Sequence, residues 1–278
     1  MKEYSVNMTL NNEAVFCTFI YMKGFFVKKA FFDGWDNLIG MVLLNIVYIA
    51  IFFLFVSSFA LVEYGPLPFF LAILALLFVT AVFSGAVSNV AYGYSDYRRD
   101  TWNDLKAGFS RYFRHSLLMF LIYVVLALLT LFIIPFYMGN FGIIGAVISV
   151  ILIWLVIFSV MALPYYFALS SYLPGDRPLK TLKKCFIIMG DNMGFSIFFL
   201  LYNIVCVALT IFTVGLIPGV AGMNLASHDA VRLLMMKYDY LEENPDADRK
   251  HLPWTDILFD EEEKVGPRSF KNMIFPWK

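Results

Sequence analysis

The strongest candidate for a chemical site is a row of polar side chains in a largely apolar segment near the C-terminal end. Asn224, His228 and Arg232 recur every four residues, which places them on one helix face, and Asp229 is adjacent. Polar groups are costly in hydrocarbon, so such a row is expected to face a bundle interior or a wet cavity. An imidazole titrates near neutral pH. The pattern therefore predicts a solute contact or a proton relay.

The same row also permits a structural interpretation. Arg232 can extend to the cytoplasmic surface with Asp229 as its partner, while Asn224 and His228 bond neighbouring helices. Other polar residues in apolar segments are expected either to meet this row or to join helices to one another. They are Asn45, Ser88, Asn89 and Asn203.

Motifs of enzymes and metal sites are missing from the sequence. It contains no phosphate-binding loop, HExxH, GxSxG or paired CxxC. Asp33, Gly34 and Asp36 resemble the start of a metal-binding aspartate motif, but the later aspartates are absent, so we expect these residues to cap a helix. We predict no catalytic residue, no cofactor and no metal site, and a protein that is not an enzyme.

The elements that carry these residues follow from the composition. Hydrophobic residues make up 60% of the chain and charged residues only 15%, which is more apolar than an ordinary soluble domain. The formal net charge is zero, so nucleic acid is not an expected partner. Apolar runs of membrane length occur at about 38–62, 67–91, 117–136, 141–172 and 194–217.

A sixth span at about 218–237 is weaker, because the polar row interrupts it, but the charges favour it. With six spans, all 21 Lys and Arg residues fall on one side of the bilayer, and the connections near Glu63, Asn140 and 215–219 contain none. The positive-inside rule makes that side cytoplasmic. We predict an all-α, polytopic bundle of about six membrane helices with both termini in the cytoplasm. Its parts are an interfacial segment (1–37), the membrane domain (38–237) and an acidic tail (238–278).

Two cytoplasmic loops have the pattern of amphipathic helices lying at the membrane interface. Aromatic and aliphatic residues recur at helical spacing within 102–113 and again within 179–189. The opposite faces are basic, which suits either anionic lipid head groups or a partner protein. The basic residues of these loops are Arg98, Arg99, Lys106, Arg111, Arg114, Lys180, Lys183 and Lys184.

The odd-numbered spans begin near residues 38, 117 and 194, at almost equal intervals. Residues 25–32, with Lys28 and Lys29 among aromatic residues, have the composition of a third amphipathic helix. This order predicts three parallel repeats, each an amphipathic helix followed by a membrane hairpin. Any six-span protein with short outer turns has similar intervals, and that alternative stays open.

Short motifs over about residues 28–240 resemble the YesL-type family of small bacterial membrane proteins. They are 43–48 (LLNIVY), 85–88 (GAVS), 97–102 (YRRDTW), 109–114 (FSRYFR) and Pro218-Gly219 ahead of Arg232. The resemblance implies a six-helix plasma-membrane protein with a loose link to carbohydrate uptake. It implies no catalytic residues.

Two functions follow as expectations. The first is a non-enzymatic accessory or assembly component of the bacterial inner membrane, linked to carbohydrate transport, whose partners are anionic lipid and transporter subunits. The second is a small-solute transporter or channel that uses the polar row. We expect the acidic tail to be solvated and partly disordered, with Leu252, Trp254, Ile257, Leu258 and Phe259 as an alternative docking segment.

Overall fold

In a computed structural model of the chain, the described residues are 21–249 and 252–268, and their regular elements are all helical. Helix α1 covers residues 21–36 of this part. It is followed by α2 (Leu38–Ser58), α3 (Pro66–Ser95), α4 (Thr101–Arg111), α5 (Phe113–Leu128), α6 (Ile134–Asn140), α7 (Gly142–Ala162) and α8 (Pro164–Tyr172). The remaining helices are α9 (Pro178–Asp191), α10 (Met193–Phe212), α11 (Gly219–Glu243), α12 (Trp254–Ile257) and α13 (Phe259–Val265).

Five of the described helices are long and apolar enough to cross a membrane. They cover Leu38–Tyr64, Pro66–Ser95, Phe113–Asn140, Gly142–Tyr172 and Met193–Phe212. Each coincides with one of the five predicted apolar runs, so the all-α polytopic prediction is confirmed. Helix α11 occupies the place of the predicted sixth span and has 25 residues. It is not apolar enough to join the five, and a sixth crossing stays a prediction.

Two membrane helices contain local irregularities. A π-helical turn at Leu129–Ile133 joins α5 to α6, and Pro135 lies in the first turn of α6. The helix then continues to Asn140, beyond the predicted end of this run near residue 136, so Pro135 lies inside the span. In the next span the helix is interrupted at Leu163, directly before Pro164, because proline cannot donate the backbone hydrogen bond that would continue α7.

The chain divides into two compact units, and the larger one comprises residues 37–228. Side chains of α2, α3 and the first turns of α11 form a core in this unit. It contains Met41, Leu44, Tyr48, Ile51, Phe83, Val87, Val90, Ala91, Tyr94, Ala221 and Leu225. The shared core explains how the first two spans and the start of α11 hold one another.

Helix α4 lies very close to α3. A Cβ atom added at Gly108 would come within 2.7 Å of the carbonyl oxygen of Ala86 and 2.9 Å of Asn89 Cβ. Asn89 donates from Nδ2 to the backbone oxygen of Asp104 at 2.8 Å. Glycine at position 108 therefore lets the loop helix pack against the end of the second span.

The smaller unit comprises α1, the part of α11 from residue 229 onward, α12 and α13. Phe26, Leu233 and Leu258 are fully buried in it. Leu252 and Trp254 are also buried, whereas Phe259 is 65% exposed. The burial of Leu252, Trp254 and Leu258 therefore fits a docked segment at residues 252–268 better than the solvated tail that was expected. Residues 1–20, 250–251 and 269–278, which complete the predicted interfacial segment and tail, lie outside the described residues.

Candidate functional site

The polar residues of the candidate row separate into two environments, although all four lie on α11. Asn224 and His228 belong to the larger unit, and Asp229 and Arg232 belong to the smaller one.

His228 is completely buried and bonded to a residue of the second span. One ring nitrogen, Nε2, lies 2.7 Å from the hydroxyl oxygen of Ser88. The Tyr92 ring lies one turn further along α3, with its centroid 6.0 Å from that of the imidazole. Ser88 therefore meets the row, which is one of the two outcomes expected for the polar residues of the apolar segments. The contact joins two helices, which is the common role of polar residues between membrane helices.

Asn45 meets the start of α11 and not the row itself. Its Nδ2 donates to the carbonyl oxygens of Leu216 at 2.9 Å and Pro218 at 2.8 Å. Its Oδ1 accepts from the backbone N–H of Ala221 at 2.9 Å. Gly219 has a φ of +63°, and a Cβ atom there would collide with the Asn45 amide. One buried side chain thus holds the turn that opens α11, a role typical of a capping residue.

Asn224 lines a cavity of about 380 Å³ within the larger unit. Its Nδ2 lies 3.4 Å from the backbone oxygen of Ser84. Asn203 also lines this cavity and donates to the carbonyl of Phe199 on its own helix at 2.9 Å. Three residues that the sequence did not single out, Ser84, Tyr123 and Ser227, complete the polar part of the lining. Single hydroxyl-bearing residues in apolar helices are common, so no local pattern could have identified them.

Asn89 does not reach the row. Besides its bond to Asp104, it accepts from Arg111 Nη1 at 3.2 Å. The Arg111 guanidinium also lies over the rings of Tyr92 and Tyr112, at 5.8 and 5.4 Å. Arg111 is therefore part of the junction between α3 and α4 and is not a freely available surface charge.

Asp229 and Arg232 belong to a buried cluster of charges in the smaller unit. Lys29 Nζ lies 2.7 Å from Asp33 Oδ2, 3.6 Å from Glu261 Oε2 and 3.7 Å from Asp229 Oδ1. Glu261 Oε1 also accepts from Arg232 Nη2 at 2.8 Å and from Lys264 at 3.0 Å. The ammonium of Lys29 is thus surrounded by three carboxyl groups. Within the described ranges, no group of three or more metal-ligating side chains is arranged to hold a metal ion.

Two carboxyl groups of this cluster have shifted pKa values in opposite directions. Burial, and then the negative charge of Asp229, raise the pKa of Asp33 to about 8, against the attraction of Lys29. Burial also acts to raise the pKa of Glu261. The hydrogen bond and charge of Arg232, followed by Lys264 and Lys29, outweigh it and lower that pKa to about 2. Burial therefore favours the neutral form of Asp33, whereas the neighbouring cations favour the ionised form of Glu261.

The predicted amphipathic loop helices are present as α4 and α9. On α4 and at the start of α5, Trp102, Phe109 and Phe113 are 61%, 41% and 45% exposed. On α9, Leu179 is 69% exposed, whereas Thr181 and Cys185 are buried. Each predicted apolar stripe is thus partly exposed, but Tyr112 and Met189 at the ends of the two stripes are buried within the protein.

The basic residues of these loops differ in how much of their charge is already paired. Lys180 and Lys184 both bind Asp176, at 2.6 and 2.5 Å, and their hydrogen bonds lower the pKa of that carboxyl. Arg98 lies 3.5 Å from Asp96 and over the Tyr92 ring at 5.7 Å. Lys106, Arg114 and Lys183 are exposed, and they form the part of the basic surface most open to an outside anion.

Comparison with protein-family models, curated proteins and solved structures found no match to this chain. The resemblance to the YesL-type family therefore stays a prediction based on its short motifs. The five apolar helices identify the chain as an integral membrane protein.

Proposed function

We propose that this integral membrane protein is a non-enzymatic accessory or assembly component of a bacterial plasma membrane, with both termini in the cytoplasm. In this proposal its working surface is formed by α4 and α9. The observation that carries it is the contrast between the two sets of candidate residues. His228, Asp229 and Arg232 are bonded or enclosed within the protein, whereas the aromatic and basic side chains of α4 and α9 remain exposed.

The order of the helices supports a common working face. Both termini lie in the cytoplasm when the five apolar helices and α11 all cross in sequence. In that order α4 connects the second span to the third and α9 connects the fourth to the fifth. Successive crossings alternate in direction, so both connections emerge on the same side of the bilayer. The positive-inside rule identifies that side as the cytoplasm.

The side chains of this face suit simultaneous contact with lipid and with a partner protein. Exposed Trp102, Phe109 and Leu179 are suited to the boundary between head groups and acyl chains. Exposed Lys106, Arg114 and Lys183 supply positive charge for anionic lipid, each worth about 1 kcal/mol near the surface. Lipid binding in this arrangement orients α4 and α9, and the cytoplasmic side of the same helices receives a membrane transporter subunit. The resemblance to the YesL-type family favours a carbohydrate transporter as that partner.

The test is a triple charge reversal, Lys106→Glu, Arg114→Glu and Lys183→Glu, with the association measured in native membranes. The protein is purified in mild detergent at native expression, and co-purifying subunits are quantified by mass spectrometry. Arg111 is left unchanged because it also bonds Asn89 and packs on Tyr92. We expect a stoichiometric membrane subunit to be lost from the triple variant.

The matched control exchanges the same three positions while keeping their charge, as Lys106→Arg, Arg114→Lys and Lys183→Arg. It is expected to retain the subunit. A protein that purifies alone in its native form, or a triple reversal that leaves every association intact, contradicts the proposal.

A second candidate function is small-solute transport, and the cavity beside Asn224 favours it. His228 contacts Ser88 and is not among the residues that line this cavity. A transport path would therefore depend on Asn224 more than on the imidazole. Solute flux in proteoliposomes that is unchanged in the double variant Asn224→Ala, His228→Ala would exclude this candidate.

A further inference from the structure

The cavity in the larger unit has the size of a ligand site. Its volume of about 380 Å³ falls within the range of about 300–1,000 Å³ found for small-molecule pockets. It is more than twice the roughly 150 Å³ of an engineered apolar cavity that accepts benzene. Most of its lining is aliphatic or aromatic, including Met119, Leu126, Phe167 and Val220.

The polar part of the lining carries no charge and consists of the amides of Asn203 and Asn224 and three hydroxyl groups. The hydroxyl groups of Tyr123 and Ser84 bond each other. Asn203 uses Nδ2 to bond Phe199, and Asn224 uses Nδ2 in the 3.4 Å contact with Ser84. Among the residues that the structure describes, neither amide oxygen Oδ1 accepts a hydrogen bond from protein. The Ser227 hydroxyl donates to the Met223 carbonyl. A bound molecule that donates hydrogen bonds would therefore satisfy two acceptors that the protein leaves open.

We propose that this cavity binds a neutral amphiphile with a hydroxyl-bearing head group, whose hydroxyls donate to Asn203 and Asn224. The apolar lining takes the hydrocarbon part of the molecule. No charged residue lines the cavity in the described part of the chain, so an ionised head group would be buried without a counter-charge. This site is independent of α4 and α9, and its occupancy does not rest on the proposed accessory function.

The experiment compares three probes with the same acyl chain on the purified full-length protein. 1-Monooleoylglycerol is neutral and donates hydrogen bonds, methyl oleate is neutral without a donor, and oleate is charged above its pKa. Binding is titrated in detergent by native mass spectrometry at a pH where oleate is ionised. We expect 1-monooleoylglycerol to bind about tenfold more tightly than methyl oleate, because it forms two hydrogen bonds that the ester cannot.

The variant Asn203→Leu, Asn224→Leu is expected to lose this selectivity and to bind the two neutral probes equally. Asn140→Leu is the matched control, because Asn140 also donates to a carbonyl four residues earlier but lies outside the cavity. Val220→Phe fills the cavity while keeping both amides and is expected to weaken binding of all three probes. Equal binding of methyl oleate by the native protein overturns the proposal. Selectivity retained by the double leucine variant, or full binding by Val220→Phe, does so as well.

Discussion

Lys29 Nζ lies 2.7 Å from Asp33 Oδ2, and the two side chains are 0% and 5% exposed. Both residues lie on α1, four positions apart, so the pair forms within one helix. Glu261 of α13 and Asp229 of α11 approach the same ammonium. The packing of the tail against α1 is therefore centred on a single positive charge.

Removal of that charge is expected to unfold the smaller unit more readily. Lys29→Met leaves three carboxyl groups buried around an apolar side chain, and breaking a buried ion pair from one side costs about 3–5 kcal/mol. The unfolding free energy of the unit and protease protection of residues 252–268 are the measurements. Lys180→Met, which removes an exposed partner of Asp176, is the control and is expected to change little. Equal effects of the two substitutions would contradict the role assigned to Lys29.

The stability of the smaller unit is expected to fall as the pH rises from about 4 to about 8. In the folded unit the pKa of Asp33 is about 8, above its ordinary value of 3.8, so the folded state retains a proton that the unfolded state has lost. Thermal unfolding measured across this pH range tests the slope. Asp33→Asn cannot titrate and should flatten it, whereas an unchanged slope would exclude Asp33 as its source.

Below about pH 4.5 the dependence is expected to reverse. The pKa of Glu261 is about 2 in the folded unit against an ordinary 4.5, so the stability that it contributes is present above pH 4.5 and is lost as the pH falls toward 2. The same thermal unfolding measurements, extended to about pH 2, test this loss of stability in acid. Glu261→Gln should abolish the loss below pH 4.5 and leave the dependence due to Asp33 in place. A loss that persists in this variant would have to come from other groups.

Gly108→Ala is expected to separate α4 from α3. The added methyl group would lie 2.7 Å from the Ala86 carbonyl oxygen and 2.8 Å from Ala86 Cα, and backbone atoms within a helix cannot move aside cheaply. A loss of about 1–3 kcal/mol is expected in unfolding measurements in detergent. Gly190→Ala on α9 is the control, since no atom lies within 4 Å of its added methyl group. It should be neutral or slightly stabilising, because alanine favours helix over glycine. A Gly108→Ala protein as stable as that control would contradict the close packing.

The sequence predicts the membrane helices well because long apolar runs and amphipathic spacing are local properties. Helices α4 and α9 were predicted for the same reason, and contact of their exposed apolar side chains with lipid stays a prediction. Glu261 could not be predicted as buried. It lies within an acidic run that is typical of a solvated tail. Lys264 is a local partner, but Lys29 and Arg232, which also pair with Glu261, are distant in the sequence.

The partners of the candidate row on α11 could also be predicted only in part. Four-residue spacing correctly places Asn224 and His228 on α11, but spacing cannot say which residue of another helix each one meets. Ser88 was expected among the partners and bonds His228. Asn45 was expected there too and instead bonds the turn before α11. The cavity is lined by residues from several helices. Ser84 and Ser227 are far apart in the sequence, so helical periodicity could not predict that both line it.

The bonds of Asn45 also constrain how the protein is made. Its amide lies in the first span, and the carbonyl of Leu216, the earlier in sequence of its two acceptors, follows 171 residues later in the chain. At about 5–20 residues per second, translation of that interval takes roughly 10–30 seconds. During this time the amide needs another partner, such as water, a lipid head group or a carbonyl of its own helix. The first span thus becomes fully bonded only when nearly the whole membrane domain has left the ribosome.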